Sequence, residues 1–290
     1  MYSIQEIYLD LLKLPHDFEQ LDSGLNGRSA VSLFLFEYSN VYIDITAYNK
    51  GIELLEYELN SIEKVKNVSL FNGLTGIAWT INYLSSKNFI EINHDDFLPT
   101  LLEDQLKNYF FTHNQLISLE HFTFNENIFF YFISRLIKTN DDLLKKKYRT
   151  FINQSLILFI NYFYQINDLR IKFDVKVLTN FIKTLNLLSD HLNSPLLHLL
   201  LTAVLELAVN IENIEHIKDH SHFIKASIFL NNQKFQNKLK KYIFQDQTYK
   251  NNFHKTSQMG IWQGGLSYIG LKKIMYEKKL QDKFLEYFIK

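Results

Sequence analysis

The chain has 290 residues, enough for one large domain or two small ones, and its 31 Lys and Arg balance its 31 Asp and Glu. That neutrality argues against broad electrostatic attraction to nucleic acid or to acidic membranes. Cysteine is absent, so disulfides and thiolate metal sites are excluded. The first thirty residues mix Glu6, Asp10, Asp17 and Glu19 with apolar groups, which is not the pattern of a signal peptide. The most apolar run, 196–209, is interrupted by His198, Thr202 and Glu206 and is too short to span a bilayer. A soluble, cytoplasmic protein is the expectation.

Ile4, Ile7, Leu11 and Leu12 share one helical face and predict a helix over 3–14, ended by Pro15. Gly24-Leu25-Asn26-Gly27 then reads as a turn opening a helix to about Tyr38, with Val31, Phe34, Leu35 and Tyr38 as its stripe. The next helix is expected over 46–62. Its apolar face is read as Ile52, Leu55, Leu59 and Ile62, with Glu53, Glu56, Glu58 and Glu63 on other faces. A second glycine turn, Gly73-Leu74-Thr75-Gly76, follows the lead Ser69-Leu70-Phe71-Asn72 and opens a stripe of Ile77, Ala78, Ile81 and Leu84. Residues 93–97 read as polar loop and 98–111 as a helix with Pro99 in its first turn, where proline is tolerated. Helical patterns continue over 124–138, 141–164, 175–188, 195–208, 224–231 and 234–244. The run Lys145-Lys146-Lys147 reads as a solvated helix face. Gly264-Gly265 opens a third glycine unit with Leu266, Ile269, Gly270 and Ile274, and a last helix is expected over 280–288. Three prolines and no strand-like alternation predict an all-α chain.

Two glycines three apart let the backbone turn sharply and let a neighbouring helix come close. One such pair says little; recurrence says more. Steps of about fifty residues from Gly73 land on Phe124, Asp174 and Ile224, each at the head of an apolar helical pattern. These are Ile128, Phe129, Phe132 and Leu136; then Leu178, Phe181, Ile182 and Leu185; then Ile224 and Ile228. Six units result, three with glycines and three without. Alternating outer and inner helices at one period predict a single domain over 1–290, an α/α toroid of about six helix pairs. Its GxxG turns, with Gly24, Gly27, Gly73, Gly76 and Gly264, would stand at the inner-helix entrances, where functional residues are expected around a central cavity.

SLFNGLTGIAWTINYL (69–84) resembles the second repeat of the lanthionine synthetase C-like family, the lanthipeptide cyclases, and GLNGRSAVSLFLFEYS (24–39) resembles its first. Gly260 to Tyr276 is similar to its sixth repeat. The resemblance implies an α/α toroid, although the family has seven helix pairs and this chain ends after six. It also implies thioether chemistry, in which a zinc-bound cysteine thiolate of a precursor peptide adds to a dehydrated residue. Where the family places an adjacent Cys-His pair of zinc ligands, this chain has Trp262 and Gln263. The family's third ligand, a cysteine, falls near His222; its catalytic histidine falls on Phe173 and an aspartate of its third repeat near Glu120. The family-type zinc site is therefore not expected, and no metal or other cofactor is expected with it.

The remaining candidates carry two readings each. His216, His220 and His222 could form a replacement metal site, against the preferred reading of a polar loop or helix end. Glu120 with His121 could act as acid and base at a cavity mouth, but adjacent helical residues point apart, and solvated residues are preferred. Trp262 and Gln263 either bind an apolar peptide side chain or fill the vacated zinc position. The aromatic run Phe129 to Phe132 reads as core. Three functions follow: a zinc-free, catalytically degenerate protein that binds a precursor peptide or a lanthipeptide dehydratase or other modification enzyme; an active zinc-independent cyclase; and an unrelated α/α-toroid enzyme. The last needs paired carboxylates, for which Glu120, Glu126 and Asp174 are too scattered. The first is the expectation, with substrate-pocket candidates Trp262, Gln263, His222, Phe173 and Glu120.

Overall fold

Ser3 opens the first helix with a capping box: its hydroxyl accepts the Glu6 N–H, and the Glu6 carboxylate accepts the Ser3 N–H. The computed structural model describes residues 3–13, 21–112, 119–169, 174–210, 221–233, 235–236 and 265–278. Every regular element among them is helical, so the described chain is all-α. The helices are α1 (Ile4–Leu12), α2 (Arg28–Tyr42), α3 (Ile45–Asn60), α4 (Leu74–Ser86), α5 (His94–Leu98), α6 (Asp104–Thr112), α7 (Leu119–Lys138), α8 (Asp142–Leu169), α9 (Val175–Ser189), α10 (Pro195–Asn210), α11 (Ser221–Phe229) and α12 (Leu266–Lys278). Among the described residues, no helix is long and apolar enough to cross a membrane. The chain divides into two compact units, one formed by 1–113 with 252–290 and the other by 114–251.

In the first unit, α2 from Arg28 to Tyr38 and α4 from Leu74 to Leu84 are buried on every side. Neither is a surface helix with one apolar stripe; both are interior helices wrapped by neighbours. α3 is the covering layer on α2. Its buried face is Ala47, Lys50, Gly51, Leu54, Leu55 and Glu58; of the expected Ile52-Leu55-Leu59-Ile62 stripe, Leu55 and, just past the helix, Ile62 are buried, while Ile52 and Leu59 are half-buried. Small residues explain the shift. Gly51 lies 3.3 Å, by its absent Cβ, from the Phe36 ring, and its carbonyl accepts the Ser32 hydroxyl at 2.9 Å. α2 runs four residues past Tyr38 and stops when Ile43 takes the left-handed conformation (φ 55°). Asp44 then caps α3 by accepting the Thr46 and Ala47 N–H groups. Residues 93–97, expected as loop, are instead the start of a helix, because Asn93 caps it by accepting the Asp95 N–H. The path continues through a π-helical turn at Pro99–Glu103 into α6.

In the second unit, α7 is buried from Asn125 to Leu136 and begins at Leu119, before the expected entrance at Phe124. Phe122 sits at its centre of packing, with ring centroids 5.1–5.8 Å from Phe159, Tyr162, Phe163 and Phe181. Arg135 is fully buried and donates to the Tyr148 hydroxyl at 2.8 Å. Asp174 heads α9 as expected, capping it through the Lys176 N–H. Lys146 and Lys147 are exposed on α8, as the solvated-face reading requires. The helices expected over 234–244 and 280–288 lie outside the described residues, apart from 235–236.

Candidate functional site

The two glycine-rich turns at the heads of α2 and α4 lie against each other, backbone to backbone. Gly24–Asn26 forms a short 3-10 turn in which Gly24 adopts φ 68°, a conformation that favours glycine. The Leu25 N–H donates to the Leu70 carbonyl at 3.3 Å and the Asn26 N–H to the Phe71 carbonyl at 2.7 Å. The Asn26 side-chain amide adds a bond to Asn72 Oδ1 at 2.8 Å. Gly76 is what allows this approach: a Cβ there would stand 2.0 Å from the Leu70 carbonyl oxygen and 2.9 Å from the Gly24 Cα. Gly27 and Gly73 are pressed equally hard against the Asp22 and Asn67 carbonyls. Four of the five expected turn glycines thus share one structural feature; Gly264 lies outside the described residues.

Beneath this pair sits a carboxyl group that the sequence pattern did not mark. Glu58 of α3 is fully buried and accepts the Gly24 N–H at 2.9 Å and the Ser29 hydroxyl at 2.6 Å. Burial pushes its pKa up to about 7, against the opposing pull of the Ser29 hydroxyl, the Gly24 N–H and the Arg28 guanidinium. Arg28 donates to the Leu21 carbonyl and the Ser23 hydroxyl and lies 5.3 Å over the Tyr57 ring. Glu58 has no route to a substrate, so its chemistry is to hold the turn. The solvent side of the same feature carries amides: Asn26 is half-buried and Asn72 exposed, with Phe71 half-buried between them in the loop.

Trp262, Gln263, Phe173, His216 and His220 lie outside the described residues, as does the side chain of Glu120 in the first turn of α7. His222 is half-buried in the first turn of α11, where its backbone carbonyl accepts the Asn186 side-chain amide at 2.7 Å. Glu126 is buried and accepts the Thr184 hydroxyl at 2.7 Å, a bond between α7 and α9. Asp174 is occupied as a cap. Among the described residues, no three His, Asp or Glu side chains cluster as a metal site would need. The residues at the positions the resemblance assigns to zinc do not fit that ion. An indole offers no lone pair, a glutamine amide is a weak donor, and His222 alone is one ligand of the four a zinc site uses.

The second unit has an open groove of about 590 Å³ at the head of α10, lined by Asn193, Ser194, His198, Leu199, Thr202 and Asn232 among others. The His198 ring centroid rests 4.7 Å from that of Phe229, and its Nε2 is 2.8 Å from Asn193 Oδ1. Ser194 Oγ accepts the Leu197 N–H and serves as a helix cap. Among the described residues its lining includes no carboxylate, and the Thr202 hydroxyl donates to the His198 carbonyl within the helix.

Compared with protein-family models, with curated proteins and with solved structures, the chain matches none.

Proposed function

We propose that the chain is a zinc-free, catalytically degenerate lanthionine synthetase C-like toroid that binds a precursor peptide in a ribosomal-peptide modification pathway in the cytoplasm. The observation that carries this reading is the pairing of the GLNG and GLTG turns, each opening a helix buried on all sides. The two stretches that resemble the first two repeats of that family are thus also the two whose turns pair. The residues that would hold its zinc are replaced by Trp262 and Gln263, which is why the reading is of a binding protein and not of a metal-dependent cyclase. The exposed rim of the turns suits a peptide. Asn26 and Asn72 present side-chain amides that match main-chain N–H and C=O groups, and Phe71 offers an apolar face beside them.

The test is a fluorescence-anisotropy titration of the purified full chain with the precursor peptide encoded beside its gene, alongside metal analysis of the same sample. Micromolar binding, weakened at least tenfold by Asn26→Ala with Asn72→Ala and without stoichiometric zinc, is the expected result, the loss corresponding to about 1.4 kcal/mol or more. Absence of binding to about 100 μM, or one zinc per chain, overturns it.

A further inference from the structure

The buried carboxyl of Glu58 joins three pieces of chain that are far apart in sequence. It stands near the end of α3, it accepts the backbone N–H of the first glycine turn, and it accepts the Ser29 hydroxyl in the first turn of α2. The turn it holds is the one whose next two N–H groups bind the Leu70 and Phe71 carbonyls. Releasing Glu58 therefore releases one partner of the paired turns.

We propose that Glu58 is a proton-operated latch on the paired glycine turns, closed when its carboxyl is protonated and loosened when it ionises. A neutral acid suits the fully buried position, because it takes no charge out of water while Oε1 accepts the Gly24 N–H and Oε2 the Ser29 hydroxyl. An ionised carboxylate keeps those two donors but loses its water, and desolvation outweighs them, which is why the group titrates near 7 instead of at its usual 4.5. Among the described residues, the following groups face it. α2 contributes Arg28, whose charge favours the ionised form but is shared with the Leu21 carbonyl and the Ser23 hydroxyl. α3 contributes Tyr57 beneath that guanidinium. The segment before the turn contributes Asp22, whose backbone carbonyl accepts the Arg28 N–H. The 65–73 loop meets the turn through the Leu70 and Phe71 carbonyls and the Asn72 amide. The latch follows from this geometry whatever the outer rim binds.

The sign is set by the raised value. Between the two acidities the closed form holds a proton that the opened form gives up, so rising pH favours opening until the group is ionised in both. Amide hydrogen exchange of the full chain, with intrinsic rates divided out, reads this at Leu25 and Asn26. From pH 6 to pH 8 their protection factors fall about tenfold in the wild type. In Glu58→Gln, which keeps an acceptor for Gly24 and cannot ionise, they stay flat. Flat wild-type protection, or an equal fall in both proteins, overturns the latch. Should Glu58→Gln fail to fold, the carboxyl-carbon NMR titration of Glu58 in the wild type decides: a midpoint near 7 supports the latch, one near 4.5 overturns it.

Discussion

Gly76→Ala is the sharpest perturbation of the paired turns, since one methyl group tests whether close backbone approach holds the first unit together. The new Cβ would stand 2.0 Å from the Leu70 carbonyl oxygen, well inside any van der Waals contact, and the obstacle is backbone, not a side chain that can swing aside. The 70–71 segment must retreat by roughly an ångström, which strains the packing by about 2 kcal/mol. Retreat also breaks the Leu25–Leu70 and Asn26–Phe71 hydrogen bonds, at about 1 kcal/mol each. Alanine returns about 1 kcal/mol in helix propensity at this position in the first turn of α4. The net expectation is a loss of about 3 kcal/mol. Gly51→Ala is the control: it is also helical, its Cβ would meet the Phe36 ring at 3.3 Å and the Leu35 Cβ at 3.6 Å, and the propensity gain nearly offsets that tightness. Urea denaturation followed by far-ultraviolet circular dichroism, wild type against each variant, supplies the comparison. If Gly76→Ala falls within about 1 kcal/mol of wild type, or costs no more than Gly51→Ala, the close approach is not what stabilises the turns.

Two further outcomes follow from buried contacts in the separate units. Tyr83→Phe removes the hydroxyl that donates to Glu37 Oε1 at 2.6 Å in the interior of the first unit. A loss of about 2 kcal/mol is expected, and a double-mutant cycle with Glu37→Gln that shows coupling below about 0.5 kcal/mol would refute the assignment. Phe122→Ala empties the ring cluster at the centre of α7 packing and should cost about 3–5 kcal/mol, whereas Leu143→Ala, at an exposed position of α8, should stay within about 0.5 kcal/mol. Equal midpoints for those two variants would remove Phe122 from the core.

Much of the helical order was legible because large apolar residues recur at helical spacing, as in Val31, Phe34, Leu35 and Tyr38 or in Leu178, Phe181, Ile182 and Leu185. The errors have specific causes. Leu55 and Ile62 of the expected α3 stripe are buried, but Ala47 and Gly51 carry too little apolar surface to register in a stripe, yet their small size is what brings the helix against α2. The sequence pattern puts Glu58 off the apolar face, and a carboxylate is seldom fully buried; its partners, Gly24 and Ser29, lie 34 and 29 residues away, and no local pattern encodes that meeting. The start of α5 was legible in principle, since Asn93 followed by Asp95 and Asp96 is a capping signature, but the polar run was taken for loop. The period of about fifty located α7, α9 and α11 while misplacing the head of α7 by five residues and of α11 by three, because without a glycine nothing in the sequence fixes where such a helix begins.

The two units solve one packing problem in different ways, and the difference bears on where function can reside. An interior helix must fill the space around it at the density of an organic crystal. In the first unit the space is closed by bringing backbones together, with Gly24, Gly27, Gly73 and Gly76 removing the atoms that would collide. Such a contact leaves a hydrogen-bonded seam whose outer edge carries Asn26 and Asn72, and beneath which one ionisable group, Glu58, is held. In the second unit the glycines are gone and the space around α7 is filled by Phe122, Phe129, Phe130, Tyr131 and Phe132. Rings packed at 4–6 Å leave no seam and expose no main-chain groups. The rim variants Asn26→Ala and Asn72→Ala therefore test the proposed peptide binding, while substitutions in the ring cluster of α7 test the packing of the second unit.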